Sequence, residues 1–222
     1  MAHALARDAV SRDFHPAAIE QGLRAAGMDS LRISTNAGDR QTFLKRPDLG
    51  RVLSPHSREA LVEGGSMWGE RDLLVIISDG LSALAAERHA VATLAQLRPL
   101  LSAQGWSMYP VLIAPFARVK LQDEAGALLG ARHSLMLLGE RPGLGAPDSL
   151  GAYFTFLPGP GRTDADRNCV SNIRTEALPP REAAAKLARL LCESARLGTS
   201  GTRLRDAGPQ TIPVLPDPPP GG

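Results

Sequence analysis

The strongest constraint on the fold is a repeated order of short apolar runs and helical segments in the middle of the chain. The first run, at 73–77, is followed by an Asp-Gly turn and then by a helical pattern over 83–101. Two further runs, at 109–113 and 134–138, lie on either side of a second helical segment at 125–129. Strands that alternate with helices favour a parallel sheet, because each helix carries the chain back to the starting edge.

The apolar runs also lack the polar alternation of a strand with one wet face. Such continuous runs are typical of strands covered by helices on both faces. A fourth apolar segment at 152–157 precedes a polar, turn-rich stretch, and a helix that begins at Pro180 presents one apolar face to close the core. We therefore predict an α/β fold with a Rossmann-like, three-layer parallel sheet.

Three parts of the chain differ in composition. Residues 1–66 mix short helical patterns with polar turns and carry no strong strand signal, so we predict a short helical or irregular N-terminal arm. Residues 67–201 hold the predicted Rossmann-like domain. Residues 202–222 are rich in Pro and Gly and bury little apolar surface, so we predict a disordered tail.

Charge and cysteine content argue against several classes of protein. The chain has 222 residues with 25 Lys plus Arg and 23 Asp plus Glu, so no strong field attracts nucleic acid or anionic lipid. Cys169 and Cys192 lack CxxC spacing, and the five His residues form no i, i+4 pair, so we predict no metal site. No run of eighteen apolar residues occurs, and we expect a cytoplasmic protein without a membrane span.

The loops at the carboxyl ends of parallel strands form the usual ligand crevice of such a sheet. These loops are 78–82, 114–118 and 139–148. Asp79-Gly80 permits a tight turn with close backbone approach, although an ordinary strand-to-helix connection explains it equally well. The last loop combines Glu140 and Arg141 with three glycines, but Asp148 stands where a dinucleotide fingerprint needs its third glycine.

The polar run at 161–174 is open to two interpretations. It is either a solvated loop or a set of donors and acceptors for a large ligand that carries amides and a phosphate. No phosphate-binding loop, HExxH or GxSxG motif occurs, so the chain by itself shows little catalytic machinery. A free-standing nucleotide-binding oxidoreductase remains an alternative. The stretch around His15 is a poor match to the DxHxxG segment that places His on cobalt.

Five sequence blocks point to one family. They are RPDLGR at 46–51, SDGLSA at 78–83, GERPGL at 139–144, DSLGAY at 148–153 and RNCVSNI at 167–173. Together, and in this order, they resemble the small subunit of ethanolamine ammonia-lyase. The resemblance spans residues 46–201, which makes it far more specific than any single motif.

The resemblance implies a carbon-nitrogen lyase that converts ethanolamine to acetaldehyde and ammonia with adenosylcobalamin. The substrate site then lies in a large barrel subunit, and this chain supplies a lid on the cofactor and no bond-breaking residue. Val119, Glu140 and Cys169 match the family's cobalamin-contacting positions, and Asp79 and Gly80 are expected to line the same crevice. We expect Glu140→Ala to weaken cofactor binding by about 1–3 kcal/mol with the fold intact.

The resemblance also implies a higher hetero-oligomer with the large subunit, and it leaves open whether a bacterial microcompartment encloses the complex. Residues 3–10 match the block HAxARDAV, which in the family follows a further segment. We therefore expect either a misassigned start codon or a shortened arm. A remnant that folds without assembling is the remaining alternative.

Overall fold

A six-stranded sheet forms the centre of the computed structural model, which describes residues 12–143, 146–205 and 208. The strands are β1 (Ser30–Arg32), β2 (Leu73–Ser78), β3 (Val111–Ile113), β4 (His133–Gly139), β5 (Leu150–Phe156) and β6 (Arg167–Ile173). Their order across the sheet is β1-β3-β2-β4-β5-β6. The predicted runs at 73–77, 109–113 and 134–138 therefore correspond to β2, β3 and β4, and these predictions are confirmed.

In the described part of the chain, six α-helices of at least six residues surround the sheet, and local sequence signals mark their ends. They are α1 (Pro16–Ala25), α2 (Arg40–Lys45), α3 (Pro55–Trp68), α4 (Val91–Ser102), α5 (Leu121–Leu129) and α6 (Pro180–Leu197). Proline occupies the first turn of α1, α3 and α6, where its missing N–H costs nothing. Left-handed Gly130 and Gly198 end α5 and α6.

Shorter helical turns complete the connections. Ala83–Ala85 is α-helical and Ala86–Ala90 is π-helical, and the two run directly into α4. The described residues also form 3₁₀ turns at Leu49–Arg51, Asp164–Asp166 and Gly201–Arg203. The helix predicted over 83–101 is thus confirmed, with a π-helical segment that the sequence did not indicate.

The sheet is mixed, so the prediction of a parallel sheet is wrong: β5 runs opposite to the other five strands. β1, β3, β2 and β4 pair in parallel, whereas β5 is antiparallel to both β4 and β6. The physical reason lies in the connections. A parallel crossover needs about a dozen residues, usually with a helix, and no α-helix lies among the described residues of 140–149 and 157–166.

Helices cover both faces of the sheet, as the apolar runs predicted. Leu73, Val75 and Ile77 of β2 point into one core with residues of α1, α4 and α6. Leu74 and Ile76 point the other way, into a second core with α3 and α5. All six residues of β2 are buried. The α/β class is therefore confirmed.

Three regions differ from the detailed expectations. The part expected to be helical or irregular contains β1, which pairs with β3 through register Leu31 to Leu112. The polar run at 161–174 is largely β6 and not a loop. Leu204, expected in the disordered tail, is buried. The predictions for residues 3–10 and for 209–222 lie outside the described residues.

Candidate functional site

Two neighbouring clefts lie beside the sheet, one at the edge where β2 and β4 end and the other along β5 and β6, next to the loop after β3. The main cleft, of about 740 Å³, is lined by residues that include Arg51, Arg118, Val119, Tyr153, Arg167 and Cys169. The side cleft, of about 410 Å³, is lined by residues that include Gly80, Arg118, Glu140, Arg141 and Tyr153. Arg118 and Tyr153 line both clefts, so the two are adjacent parts of one surface.

The structure thus brings four of the five predicted binding residues to this surface. Val119 and Cys169 line the main cleft, and Gly80 and Glu140 line the side cleft. Asp79 is not among the lining residues of either cleft. Val119 lies in the loop between β3 and α5, six residues beyond the end of β3 at Ile113.

Gly80 makes the turn after β2 possible. Its φ of 50° is left-handed, and a β-carbon there would overlap the carbonyl oxygen of Gly139 and the side chain of Leu138. The same turn is closed by a hydrogen bond of 2.9 Å from Leu81 N–H to the Gly139 carbonyl. The ends of β2 and β4 therefore meet without any side chain between them.

Asp79 is buried behind the cleft wall, where its carboxylate connects neighbouring loops. Its carboxylate accepts hydrogen bonds from Arg40 Nη1 at 2.6 Å and from the Phe116 N–H at 2.7 Å. Burial raises the pKa of this carboxyl, and the Phe116 N–H and Arg40 oppose the increase. Phe116 has a left-handed φ of 59°, so Asp79 holds a strained point of the loop that leads to Val119.

Arg118 forms the wall shared by the two clefts. Its guanidinium carbon lies 4.2 Å from the centre of the Phe43 ring, a cation–π contact that fixes the side chain. Desolvation lowers the pKa of Arg118, and the nearby charges of Arg51, Arg40 and Arg141 lower it further. Its buried Nε has no hydrogen-bond partner among the described residues.

Glu140 organises the antiparallel strands through its carboxylate. The oxygens accept from Ser149 Oγ at 2.5 Å, Ser171 Oγ at 2.7 Å, Tyr153 Oη at 3.3 Å and the Asn172 N–H at 3.3 Å. A carboxylate has about four acceptor positions, so these donors fill its capacity. A ligand amide or hydroxyl reaches this group only if one of the hydroxyls turns away.

These contacts change the expectation for Glu140→Ala. The truncation leaves several donors without their acceptor, so local stability of β5 and β6 falls together with any loss of ligand binding. We therefore no longer expect this variant to leave the fold intact, and we expect it to weaken the pairing of β5 and β6.

Tyr153 and Cys169 are cross-strand neighbours that face the main cleft. They pair directly in the register of β5 and β6. Desolvation by the surrounding protein raises the pKa of the Cys169 thiol to about 11; hydrogen bonding to Tyr153 lowers it, and the Glu140 carboxylate raises it. Burial likewise raises the pKa of Tyr153. Both groups stay protonated at neutral pH, so they offer an uncharged, weakly polar surface and no nucleophile.

A buried ion pair supports the floor of the main cleft. Arg167 Nη2 donates to the carboxylate of Asp123 on α5, and the two side chains are 4% and 1% exposed. Burial raises the pKa of Asp123 to about 6, against the opposing charge of Arg167. This pair ties β6 to α5 and thereby fixes the strand that carries Cys169.

The sequence did not single out Arg118, Tyr153 or the Asp123–Arg167 pair as site residues. Two of them carried a usable signal, because Arg118 precedes Val119 directly and Tyr153 ends the block at 148–153. The pairing of Asp123 with Arg167 joins residues 44 positions apart and left no local signal.

Metal and membrane features are absent from the part of the chain that the structure describes. Within it, no three His, Cys, Asp or Glu side chains gather in a way that holds a metal ion. His15 bonds to Glu87 at 2.9 Å and lines neither cleft. Among the described helices, none is long and apolar enough to cross a membrane.

Comparison with known proteins gives one consistent family. Residues 1–205 match the model of the ethanolamine ammonia-lyase light chain (EutC). An ethanolamine ammonia-lyase small subunit from Azotobacter vinelandii is 50% identical over 206 residues, which are 92% of this chain and 76% of that protein. Small subunits from Pseudomonas aeruginosa strain PAO1 and Xanthomonas campestris pv. campestris are each 48% identical, over 92% and 93% of this chain and 76% of their own lengths.

A match over nearly the whole chain, at about half identity, is decisive for membership. The five sequence blocks that carried the resemblance all fall within the matched residues. The chain belongs to the ethanolamine ammonia-lyase light chain family and is a component of a lyase.

Proposed function

We propose that this chain binds adenosylcobalamin in the main cleft and acts with a large barrel subunit that converts ethanolamine to acetaldehyde and ammonia. The observation that carries the proposal is the meeting of Val119, Tyr153 and Cys169 with Arg118 in one cleft beside the sheet. The adjacent side cleft lies at the carboxyl ends of β2 and β4, where ligands of α/β folds bind. When bound, adenosylcobalamin supplies radical chemistry that amino acid side chains lack.

The residues present fit such a cofactor in three ways. The main cleft is about 740 Å³, which suits one side of a large ligand whose other side faces a partner. Its surface combines apolar Val119 and uncharged Tyr153 and Cys169 with cationic side chains, and the cofactor combines an apolar ring with amides and a phosphate. The buried Nε of Arg118 also lacks a partner within the described residues, so the wall has unused donor capacity.

The roles of this chain are binding and orientation. Val119 gives apolar contact, and Cys169 provides a small group where a larger one would fill the cleft. Glu140 holds Ser149, Tyr153 and Ser171 in place by accepting their O–H groups, and Tyr153 lines both clefts. We assign no bond-breaking role to any of these residues, because in this proposal the substrate reacts inside the barrel of the large subunit.

The first experiment coexpresses this chain with its cognate large subunit and measures ethanolamine-dependent acetaldehyde formation with adenosylcobalamin. We expect activity only when both chains and the cofactor are present. Cofactor binding is measured separately, from the absorption change of cobalamin on titration with the purified complex. Acetaldehyde formation by the large subunit alone, at the rate of the complex, would contradict the proposal.

A matched pair of variants locates the binding site on this chain. Val119→Glu places a charge in the cleft, and we expect the Kd for cobalamin to rise by about tenfold or more, because the carboxylate loses its hydration. Val62→Glu makes the same change on α3, where Val62 is 52% exposed and lines neither cleft. Equal Kd values for the two variants would remove the main cleft from the proposal.

A further inference from the structure

The cations of the main cleft fall into two groups. Arg167 is held by Asp123, and Arg162 lies 3.8 Å from Asp166. Arg51, Arg118 and Lys120 line the same cleft, and none of the three forms an ion pair with another described residue. Within the described ranges, Lys120 Nζ donates to the Arg162 carbonyl, at 3.3 Å, and to no other group. Asp164 also lines this cleft, but its carboxylate lies 3.8 Å from Arg167, so the three positive charges form no ion pair within the described part of the chain.

The backbone holds the two arginines of this wall together. The Arg118 N–H donates to the Gly50 carbonyl at 2.8 Å, which places Arg51 beside it. A β-carbon at Gly50 would approach the Phe116 carbonyl oxygen within 2.7 Å and the Phe43 ring within 3.1 Å. Gly50 thus permits the close approach, and the same Phe43 ring supports the Arg118 guanidinium. Backbone contacts between two separate loops therefore fix the positions of the two arginines.

This arrangement costs free energy in the absence of an anion. Like charges near one another repel, and the repulsion increases where water is partly removed. Burial and the charges of Arg51, Arg40 and Arg141 all act against the charged form of Arg118. Elsewhere in this region the chain satisfies its arginines internally, as it does for Arg40 with Asp79. The wall therefore has the composition of a site that binds an anion.

We propose that Arg118, with Arg51 and Lys120, forms an anion subsite of the phosphate class in the main cleft. Side chains must supply the donors, because the first N–H groups of α5 are occupied by the carbonyls of Arg118, Val119 and Lys120. A guanidinium suits this task, since its planar donors match two phosphate oxygens at once. The inference rests on the proposed function in one respect: the anion is the phosphodiester of the bound cobalamin.

The test compares cobalamin with cobinamide, a corrinoid that lacks the phosphate, ribose and base. The assembled complex is titrated with each, as wild type, Arg118→Gln, Arg51→Gln and the control Arg24→Gln. Arg51 and Arg24 are exposed, so their replacement leaves folding unaffected. We expect Arg118→Gln to raise the Kd for cobalamin by about tenfold to a hundredfold and to leave the Kd for cobinamide unchanged, because only one ligand carries the anion. Arg51→Gln acts in the same direction with a smaller change.

Inorganic phosphate provides a second, independent arm. It should raise the thermal midpoint of the wild-type complex and of Arg24→Gln, but not that of Arg118→Gln. If Arg118→Gln raises the Kd for both corrinoids equally, or for neither, the anion subsite is overturned while cofactor binding stands. If the wild type binds neither corrinoid, the proposed function fails, and the phosphate arm still decides the subsite. Equal stabilisation of all variants by phosphate would show an adventitious ion only.

Discussion

The parallel and antiparallel parts of the sheet differ in what their strands expose. Every residue of β2 and β4 is buried, and these strands contact helices on both faces. In β6 only Val170 and Ile173 are buried, while Cys169, Ser171 and Asn172 are exposed. The side chains of β2 and β4 are therefore used for packing, whereas β6 at the antiparallel edge has exposed side chains available for binding.

The main cleft lies across the boundary between these two parts. Arg118 and Val119 come from the loop after β3, and Tyr153 and Cys169 come from β5 and β6. One wall is therefore positioned by a buried, rigid frame and the other by strands at the edge of the sheet. The contacts that join the parts decide whether the walls keep their spacing, and three predictions address those contacts.

The largest effect is expected from Asp123→Ala, which breaks the ion pair between α5 and β6. The variant leaves the Arg167 guanidinium, only 4% exposed, without its carboxylate. Removal of one member of a buried pair costs about 3–5 kcal/mol. We expect this loss in the free energy of unfolding at pH 7.5, measured by urea denaturation. Because the pKa of Asp123 is raised to about 6, the group is ionised at that pH.

A double variant distinguishes the stabilisation by the ion pair from the stabilisation by the packing of the two side chains. Asp123→Ala combined with Arg167→Ala removes both charges, so we expect it to be less destabilised than the sum of the single changes. Additive losses would mean that the two side chains act independently, and the link between the two parts of the sheet would then lie elsewhere.

The next effect is expected at Gly139, where the last parallel strand meets the antiparallel part. A β-carbon there would overlap the carbonyl oxygens of Ser82 and Asp79, and backbone atoms cannot move aside as a side chain can. We expect Gly139→Ala to lower the free energy of unfolding by about 3 kcal/mol, the upper part of the range for overpacking. Gly159→Ala is the matched control, because a β-carbon there meets no atom within 4 Å. Similar losses in the two variants would contradict the proposed close contact.

The same comparison explains how far the sequence could predict the fold. The runs that became β2 and β4 are apolar without interruption, and burial on both faces produces such runs. β6 could not be recognised as a strand from its polar sequence, because one of its faces lies against the cleft and solvent. The direction of β5 was readable in principle, because the connection at 140–149 is too short for a crossover helix. β1, with only three residues, is too short to leave a pattern.

The candidate site was predictable in its position but not in its internal contacts. The resemblance to the family pointed to Val119, Glu140 and Cys169, and the rule for strand ends pointed to the loops that form the side cleft. Neither source could indicate that Gly50 and Phe43 set the position of Arg118, because these residues are far apart in sequence. Nor could they show that Asp79 is occupied by Arg40 and Phe116. Such roles depend on tertiary contacts and not on local pattern.

The smallest of the three effects concerns pH and the buried imidazole of His133, at the start of β4. The ring lies 4.9 Å from that of Trp106 and 5.1 Å from that of Phe156, with Ser194 Oγ 3.1 Å from Nε2. Burial lowers the pKa of His133 from 6.5 to about 3, so the folded chain keeps it neutral. The unfolded chain takes up a proton first as the pH falls, and the stabilisation present above pH 6.5 is lost below it.

The expected loss between pH 6.5 and pH 5 is about 2 kcal/mol, at 1.36 kcal/mol for each pH unit. His133→Gln keeps a donor near Ser194 but cannot titrate, so the difference in unfolding free energy between wild type and variant should fall by that amount over this range. Asp123 acts with the opposite sign, because its pKa is raised in the folded chain, and its contribution grows as the pH falls from about 6 towards 4. A constant difference between wild type and His133→Gln would mean that the ring is hydrated in the folded chain, and β4 would then be less completely enclosed than the rest of the parallel part.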